Sequence, residues 1–193
     1  MTAPAPGIVL RDGAPHSWTG SGYLNLLDPD PAAFTLADVA RNLSRLGRYA
    51  GATRRFYSVG EHSLYCADLA AGFVALGEDP DLEVWALMHD AAEAFVGDLI
   101  RPCKLAVPEF EALEGRVWRA VARKWSLPEV PPRMVKHCDN LAAAAEKRDL
   151  VTDPSDWPGL PPPPVARIPA ARGPVTWEVE AWFFTRAKRL GLR

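Results

Sequence analysis

Apolar residues recur at spacings of three and four along most of this chain, which is the period of one face of an α-helix. The first such segment begins near Thr35. Only a few residues near the N-terminus have the pattern of β-strands. The sequence therefore predicts an all-α fold, a bundle of about six helices with a small N-terminal β-hairpin. The apolar face of the first predicted helix carries Leu36, Val39, Leu43 and Leu46.

Capping residues mark where two of the predicted helices begin. Ser58 and Glu61 form a capping-box pattern that opens the second helix, and Thr176 is placed to cap the last one. Between them, periodic apolar segments predict three more helices. Their predicted ranges are about 81–95, ending near Gly97, then about 109–125 and about 132–150.

Two segments are predicted to be non-helical. Residues 1–30 are rich in glycine, proline and aspartate, and Asp12-Gly13 after a β-branched run predicts the turn of a small hairpin, followed by a lead-in to the helices. Residues 154–174 contain four consecutive prolines and predict an extended connection on the surface. With 193 residues, of which 48% are hydrophobic, the whole chain 1–193 is predicted to be one domain.

Charge and cysteine usage exclude several classes of partner. The net charge of -2 gives no global positive field, so neither a nucleic-acid polymer nor a membrane is expected as a partner. Cys66, Cys103 and Cys138 are odd in number and far apart, and we expect them to be buried small residues in a reducing compartment. No stretch approaches the roughly 18 apolar residues of a membrane span, and the first residues lack a targeting pattern. A cytoplasmic protein is predicted.

Ionisable residues on the third predicted helix are the first indication of a functional site. His89 and Asp90 are adjacent, and Glu93 follows one turn later on the same side. The rest of this helix is apolar, so these groups are expected to face inward. Because unpaired buried charge is costly, they need a partner, and a divalent cation would supply it.

Two more polar residues fall on the inward faces of other predicted helices. His62 shares the stripe of Tyr65 and Leu69 on the second helix, and Asp139 lies between Val135 and Ala142 on the fifth. Taken alone, an inward histidine is more often a hydrogen-bonded core residue, and a lone aspartate is often a cap. Together, these residues form the order H, HD, D on three amphipathic helices.

That order resembles the HD-domain family of metal-dependent phosphohydrolases. The stretches "RFYSVGEHSLYCADL", "LMHDAAEAFVGDL" and "KHCDNLAAAAEKRDL" are similar to a small bacterial and phage branch related to 5'-deoxynucleotidases and deoxyadenosine triphosphate triphosphohydrolases. The resemblance implies an HD-domain helical bundle that assembles as a homo-oligomer, a dimer or larger. It also implies four metal ligands, His62, His89, Asp90 and Asp139.

Two imidazoles and two carboxylates form a mixed ligand set that suits Co, Mn, Zn, Fe or Ni, and Mg is retained as a further possibility. Sites with two metals in this family use additional histidines. The two other histidines of the chain, His16 and His137, are predicted to lie at the surface. We therefore expect one divalent metal ion.

The resemblance implies hydrolysis at the α-phosphorus of a nucleotide, with Glu93 and Asp98 as the general acid/base and water-positioning residues. The first hypothesis is a 5'-deoxynucleotidase that converts deoxynucleoside monophosphates to deoxynucleoside and phosphate. One alternative is a deoxynucleoside triphosphate triphosphohydrolase with the same ligands. Another is a non-catalytic nucleotide-binding module on an HD scaffold.

Several cationic and aromatic residues are candidates for binding the substrate. Arg48 and Arg55 flank the start of the second helix and are predicted to bind phosphate, because arginine offers a planar fork of donors. Lys104 is a weaker candidate for the same role, and Tyr49 is predicted either to stack on a base or to pack beneath it. Arg41 and Arg45 share the polar face of the first helix and are predicted to lie in solvent.

Overall fold

The structure is a computed structural model that describes residues 9–11 and 13–193. Residues 1–8 and Asp12 lie outside the described residues. Two predictions fall on them, namely the aspartate of the predicted turn and the lack of a targeting pattern in the first residues. The described chain is mostly helical, with a small antiparallel sheet at its N-terminal end. Its strands are β1 (Val9–Arg11), β2 (Ala14–Trp18) and β3 (Tyr23–Asn25), and its helices are α1 (Leu36–Arg45), α2 (Val59–Ala75), α3 (Leu82–Met88), α4 (Glu93–Val96), α5 (Arg101–Ala106), α6 (Pro108–Trp125), α7 (Arg133–Asp149) and α8 (Thr176–Arg189).

The N-terminal element has three strands where a two-stranded hairpin was predicted. The order is β1-β2-β3, and His16 pairs with Val9 on one side and Asn25 on the other. The second connection turns at Gly20, whose φ of +115° suits glycine. A Cβ there would lie 2.5 Å from the Arg41 guanidinium and 2.8 Å from the Asp38 carboxylate, so a side chain at this position would displace the ends of these two side chains.

The third predicted helix is broken, and the expectation of one helix over 81–95 was wrong. α3 ends at Met88 and α4 begins at Glu93. In between, Ala91 N–H donates to Met88 O and Glu93 N–H donates to Asp90 O, each at 2.9 Å. These bonds span three residues instead of four, and such a tighter winding changes the direction in which successive side chains point.

The core lies where α2 packs against α1, α3, α7 and α8. The predicted apolar face of α1 is confirmed, with Leu36, Val39 and Leu43 buried and Leu46 half-buried.

The Ser58 capping box is also present. α8 begins one residue earlier than expected, because Val175 occupies the cap position and Thr176 is the first helical residue. In the described residues, no helix is both long and apolar enough to cross a membrane.

The structure contains more helices than the six that were predicted. The break in the third helix adds one, and α5 adds another within "RPCKLAVP", a stretch for which no helix was predicted. Proline stands at the start of both α5 and α6, where its missing N–H costs no hydrogen bond.

The proline-rich segment 154–174 carries no helix or strand. It lies along the C-terminal end of α7, where Arg148 donates to the carbonyl oxygens of Pro164 and Ala166. Asp149 accepts a hydrogen bond from the backbone N–H of Ile168 at 2.9 Å. The segment is therefore bound to the helix through its backbone, mostly at the surface.

A left-handed turn connects α1 to α2. Tyr49, Ala50 and Gly51 are consecutive and have φ values of +55°, +51° and +82°. For residues with a Cβ, this conformation costs roughly 1–2 kcal/mol each. Two of the three therefore hold strain that the surrounding structure must offset.

Replacing Ala50 by glycine should stabilise the protein. Relief of roughly 1–2 kcal/mol of left-handed strain exceeds the 0.5–1 kcal/mol entropic cost of glycine, so we expect a gain of about 0.5–1 kcal/mol in the free energy of unfolding. The matched variant is Gly51→Ala, because a Cβ at Gly51 would meet nothing within 4 Å and its effect comes from the backbone alone. It should lower stability. Thermal unfolding measures both, and shifts of the same sign would contradict the strain assignment.

Candidate metal centre

Four side chains from three parts of the fold converge on one point. His62 Nε2, on α2, lies 3.3 Å from His89 Nε2 and 3.3 Å from Asp139 Oδ1, on α7. Asp90 Oδ2 lies 3.3 Å from His89 Nε2 and 3.5 Å from His62 Nε2. Two donor atoms bound at 2.0–2.1 Å to a tetrahedral ion are themselves about 3.3 Å apart. The donors therefore fit a single divalent ion.

The break after α3 is what brings His89 and Asp90 to the same point. His89 is the C-cap residue of α3, and Asp90 follows in the tight winding. His89 Nδ1 lies 2.7 Å from the carbonyl oxygen of Ala86 and must donate to it. This fixes the tautomer, so that Nε2 carries the lone pair that a metal requires.

Cys66 lies beside this cluster, one helical turn after His62. Its Sγ is 3.5 Å from His62 Nε2, and with His62, His89 and Asp139 it forms a group whose donor atoms all lie within 4.8 Å of one another. Burial raises the pKa of the Cys66 thiol, which keeps it protonated. The expectation that it is a buried residue is confirmed, as it is for Cys138, whereas Cys103 is half-buried.

Glu146 is the functional residue that sequence reasoning missed. It lies on α7, its side chain is fully buried, and its Oε1 is 2.6 Å from His62 Nδ1. Burial alone would raise its pKa, but Arg48 and His62 outweigh that effect and lower the pKa to about 2. An ionised carboxylate only accepts hydrogen bonds, so His62 Nδ1 donates to it and Nε2 is the ring nitrogen that faces His89 and Asp139.

A signal for Glu146 was present in the sequence. It follows Asp139 by seven residues and Ala142 by four, which places it on the same inward stripe of α7. An acid on that stripe calls for a partner in the same way that Asp139 does.

Arg48 lies next to the ligands. Its Nη1 is 3.5 Å from Asp90 Oδ2 and its Nη2 is 3.2 Å from Glu146 Oε2. Its Nε is buried and has no hydrogen-bond partner within the described part of the chain. Arg48 therefore brings positive charge to the edge of the proposed ion site, where it was predicted to bind phosphate.

Tyr49 packs beneath the site. It donates its hydroxyl to Glu146, and its ring centroid lies 5.7 Å from that of Trp157 in the proline-rich segment. Burial and the Glu146 carboxylate raise the pKa of Tyr49 well above its usual range, so the hydroxyl keeps its proton. Of the two roles predicted for this ring, the structure shows packing.

Arg55 is engaged away from the cluster and Lys104 is paired with acids at its edge, which does not support their predicted role as phosphate ligands. The Arg55 guanidinium binds both carboxylate oxygens of Glu61 and the carbonyl oxygens of Phe56 and Pro169, which links α2 to the proline-rich segment. Lys104 Nζ lies between two acids, 3.3 Å from Glu93 Oε1 and 2.7 Å from Glu114 Oε2.

Glu93 and Asp98 lie close to Asp90 and differ in exposure. Glu93 is 5% exposed, and its Oε2 is buried with no partner among the described residues. Burial, with the charges of Asp90 and Asp98, raises the pKa of Glu93 well above its usual range. Asp98 is half-buried, and burial raises its pKa despite the opposing effect of Arg48. Glu93 is thus suited to hold a proton near neutral pH.

The remaining charged candidates lie away from this cluster. Arg45 is exposed, as predicted, and pairs with Glu180, whereas Arg41 was predicted to lie in solvent but is half-buried and pairs with the buried Asp38. His137 is exposed, as predicted. His16 was predicted at the surface but is half-buried in β2, with Nδ1 3.0 Å from Ala14 O.

Comparison with known proteins finds two bacterial relatives. No model of a known protein family matches the sequence. The uncharacterized protein YfdR of Escherichia coli is 36% identical over 124 residues, 64% of this chain and 65% of YfdR, so the chain spans slightly less than two thirds of that protein. An uncharacterized protein of Rhodobacter capsulatus is 36% identical over 135 residues, 66% of this chain and 68% of the relative.

Adding Co²⁺, Mn²⁺ or Zn²⁺ to metal-free protein should raise its unfolding temperature. Binding only to the folded state stabilises by about 2.7 kcal/mol when free metal reaches 100 times Kd. His89→Ala and Asp139→Asn should each abolish this shift. His137→Ala is the control, because His137 is exposed on the same helix as Asp139. Equal shifts in all variants would show that these residues do not bind the ion.

Proposed function

The chain belongs to the same family as the Rhodobacter capsulatus protein, and we propose that it is a metal-dependent nucleotide phosphohydrolase of the HD-domain type. The observation that carries the proposal is the convergence of His62, His89, Asp90 and Asp139 on one point, with Arg48 beside them. The favoured activity is that of a 5'-deoxynucleotidase, which converts a deoxynucleoside monophosphate to deoxynucleoside and phosphate.

A divalent ion held by these four residues would polarise a phosphoryl oxygen and lower the pKa of a bound water. The N/O donor set is compatible with Co, Mn, Zn, Fe, Ni or Mg. Two neutral imidazoles and two carboxylates give the site two negative charges, which match the charge of the ion.

The other residues would act directly on the substrate. Arg48 has a planar fork of donors at the edge of the site and would bind the phosphate oxygens. Glu93, with its raised pKa, would give its proton to the 5'-oxygen as the nucleoside leaves. Asp98 is more exposed and would orient the attacking water and accept its proton.

A monophosphate fits the charge distribution better than a triphosphate does. A triphosphate needs additional cations beyond the α-phosphate. Arg55 and Lys104, which were candidates for that role, are bound to Glu61 and to Glu93 and Glu114. Arg48 is therefore the cation that supports the proposal. A single arginine can bind one phosphate group.

Glu93→Gln should lower kcat by about 10²–10⁴-fold, the usual contribution of a general acid, because the amide has no proton of suitable acidity to transfer. Metal affinity should be unchanged, because Glu93 is not among the four ligands. Glu111→Gln is the control, since Glu111 is exposed on α6. A Glu93→Gln enzyme with the activity of the wild type would remove Glu93 from the mechanism.

Product analysis separates the proposed activity from its alternatives. Purified protein is incubated with each deoxynucleoside and ribonucleoside mono- and triphosphate in Mn²⁺, Co²⁺, Zn²⁺ or Mg²⁺. We expect free phosphate from deoxynucleoside monophosphates. Inorganic triphosphate from a deoxynucleoside triphosphate would identify a triphosphohydrolase instead. Nucleotide binding without hydrolysis in any metal would identify a non-catalytic module.

A further inference from the structure

We infer that Glu146 is a positioning residue that holds the metal ligand His62 and the phosphate-binding Arg48 in one fixed arrangement. The metal half of this inference rests on the geometry of the site. The phosphate half also rests on the proposed function, because it takes Arg48 as the residue that binds the substrate.

The two oxygens of Glu146 serve two different parts of the site. Oε1 accepts from His62 Nδ1 at 2.6 Å. Oε2 forms an ion pair with Arg48 Nη2 at 3.2 Å and accepts a hydrogen bond from the hydroxyl of Tyr49. Because the carboxylate is planar and fully buried, the imidazole and the guanidinium cannot move independently of each other.

The contact with His62 determines which ring nitrogen faces the ion. His62 is fully buried, and Glu146 accepts a hydrogen bond from its Nδ1, so that Nε2 points to His89, Asp90 and Asp139. A carboxylate behind a histidine ligand fixes its orientation and increases its basicity, and loss of such a partner typically weakens metal binding about 10–100-fold.

Arg48 would keep its contact with Glu146 when a metal is bound, but it would not keep its contact with Asp90 in the same way. The second carboxylate near Arg48 is Asp90, and the oxygen involved, Oδ2, is the same one that faces both histidines. A metal would take that oxygen. Glu146 is not one of the four ligands, so it is the carboxylate that keeps Arg48 in place in the metal-loaded protein.

Glu146 also supports the strained turn on which Arg48 lies. Tyr49 and Ala50 have left-handed backbones immediately after Arg48, and the Tyr49 hydroxyl ends at Glu146. Arg48 lies over the Tyr49 ring, with its guanidinium carbon 5.1 Å from the ring centroid. Glu146 therefore holds both the turn and the Arg48 guanidinium in place.

Asp149 provides a matched control on the same helix. It is a buried carboxylate three residues after Glu146, and it binds Arg148, Arg167 and the backbone of Ile168. Its contacts hold the proline-rich segment and do not involve the ligands. A loss of stability without a change at the site is therefore what Asp149→Asn should show.

The test measures Co²⁺ affinity from the visible absorption of bound Co²⁺, and the affinity of the Co²⁺-saturated protein for inorganic phosphate by calorimetry. Glu146→Gln should weaken Co²⁺ binding about 10–100-fold and phosphate binding about tenfold, because the anchoring ion pair of Arg48 is lost. Asp149→Asn should leave both affinities unchanged. The double variant Arg48→Met/Glu146→Gln removes both charges of the pair, so it avoids a buried unpaired arginine, and its Co²⁺ affinity should still fall.

A second comparison isolates the phosphate arm. In an Arg48→Lys background, Glu146→Gln should have little further effect on phosphate affinity but should still weaken Co²⁺ binding, because two residues that act together are not additive. Unchanged Co²⁺ affinity in Glu146→Gln and in the double variant would overturn the inference, as would wild-type protein that binds no Co²⁺. If both affinities change as expected but no nucleotide is hydrolysed, the proposed function fails and the positioning role stands.

Discussion

The rest of this structure is arranged around a point where two imidazoles and two carboxylates meet, and a group of this kind could hold a metal ion. Each carboxylate would otherwise repel the other in a partly buried setting, where screening by water is weak. Arg48, Lys104 and Lys136 lie against acids around this point. The acids near the point are Glu93, Asp90, Asp98, Asp139 and Glu146. A divalent ion held among the ionised carboxylates would offset their charge, whereas a packed apolar core could not.

The position of each ligand shows how much of the site could be predicted from the sequence. His62 and Asp139 lie on inward stripes of regular helices, so the period of 3.6 residues locates them directly. His89 and Asp90 lie beside His62, but in a different local structure from the predicted one, because a regular helix was expected to continue to residue 95. Periodicity cannot reveal a local change from four-residue to three-residue hydrogen bonds, since the apolar residues on both sides keep a helical pattern.

Other features depended on tertiary contacts that no local pattern encodes. Arg55 was predicted to bind phosphate from its position before α2, but its partners are Glu61, six residues later, and Pro169, more than a hundred residues later. Lys104 lies on α5, a helix of six residues that has too few apolar positions to show a period. Glu146 differed from these. It lies on the same inward stripe of α7 as Asp139, so the helical period locates it as directly as it locates Asp139.

The proline-rich segment contributes to the site although it carries no ligand. Its Trp157 packs against Tyr49, and Pro169 accepts from Arg55 at the entrance to α2. Bridges from Gly47 to Ser58 and from Thr53 to Val151 hold the turn at both ends. Because two consecutive left-handed residues are unfavourable alone, this turn persists only where several neighbours determine it. The strained turn therefore directs Arg48 inward to Glu146 and Asp90. Arg45 lies on the preceding regular helix and reaches the surface instead.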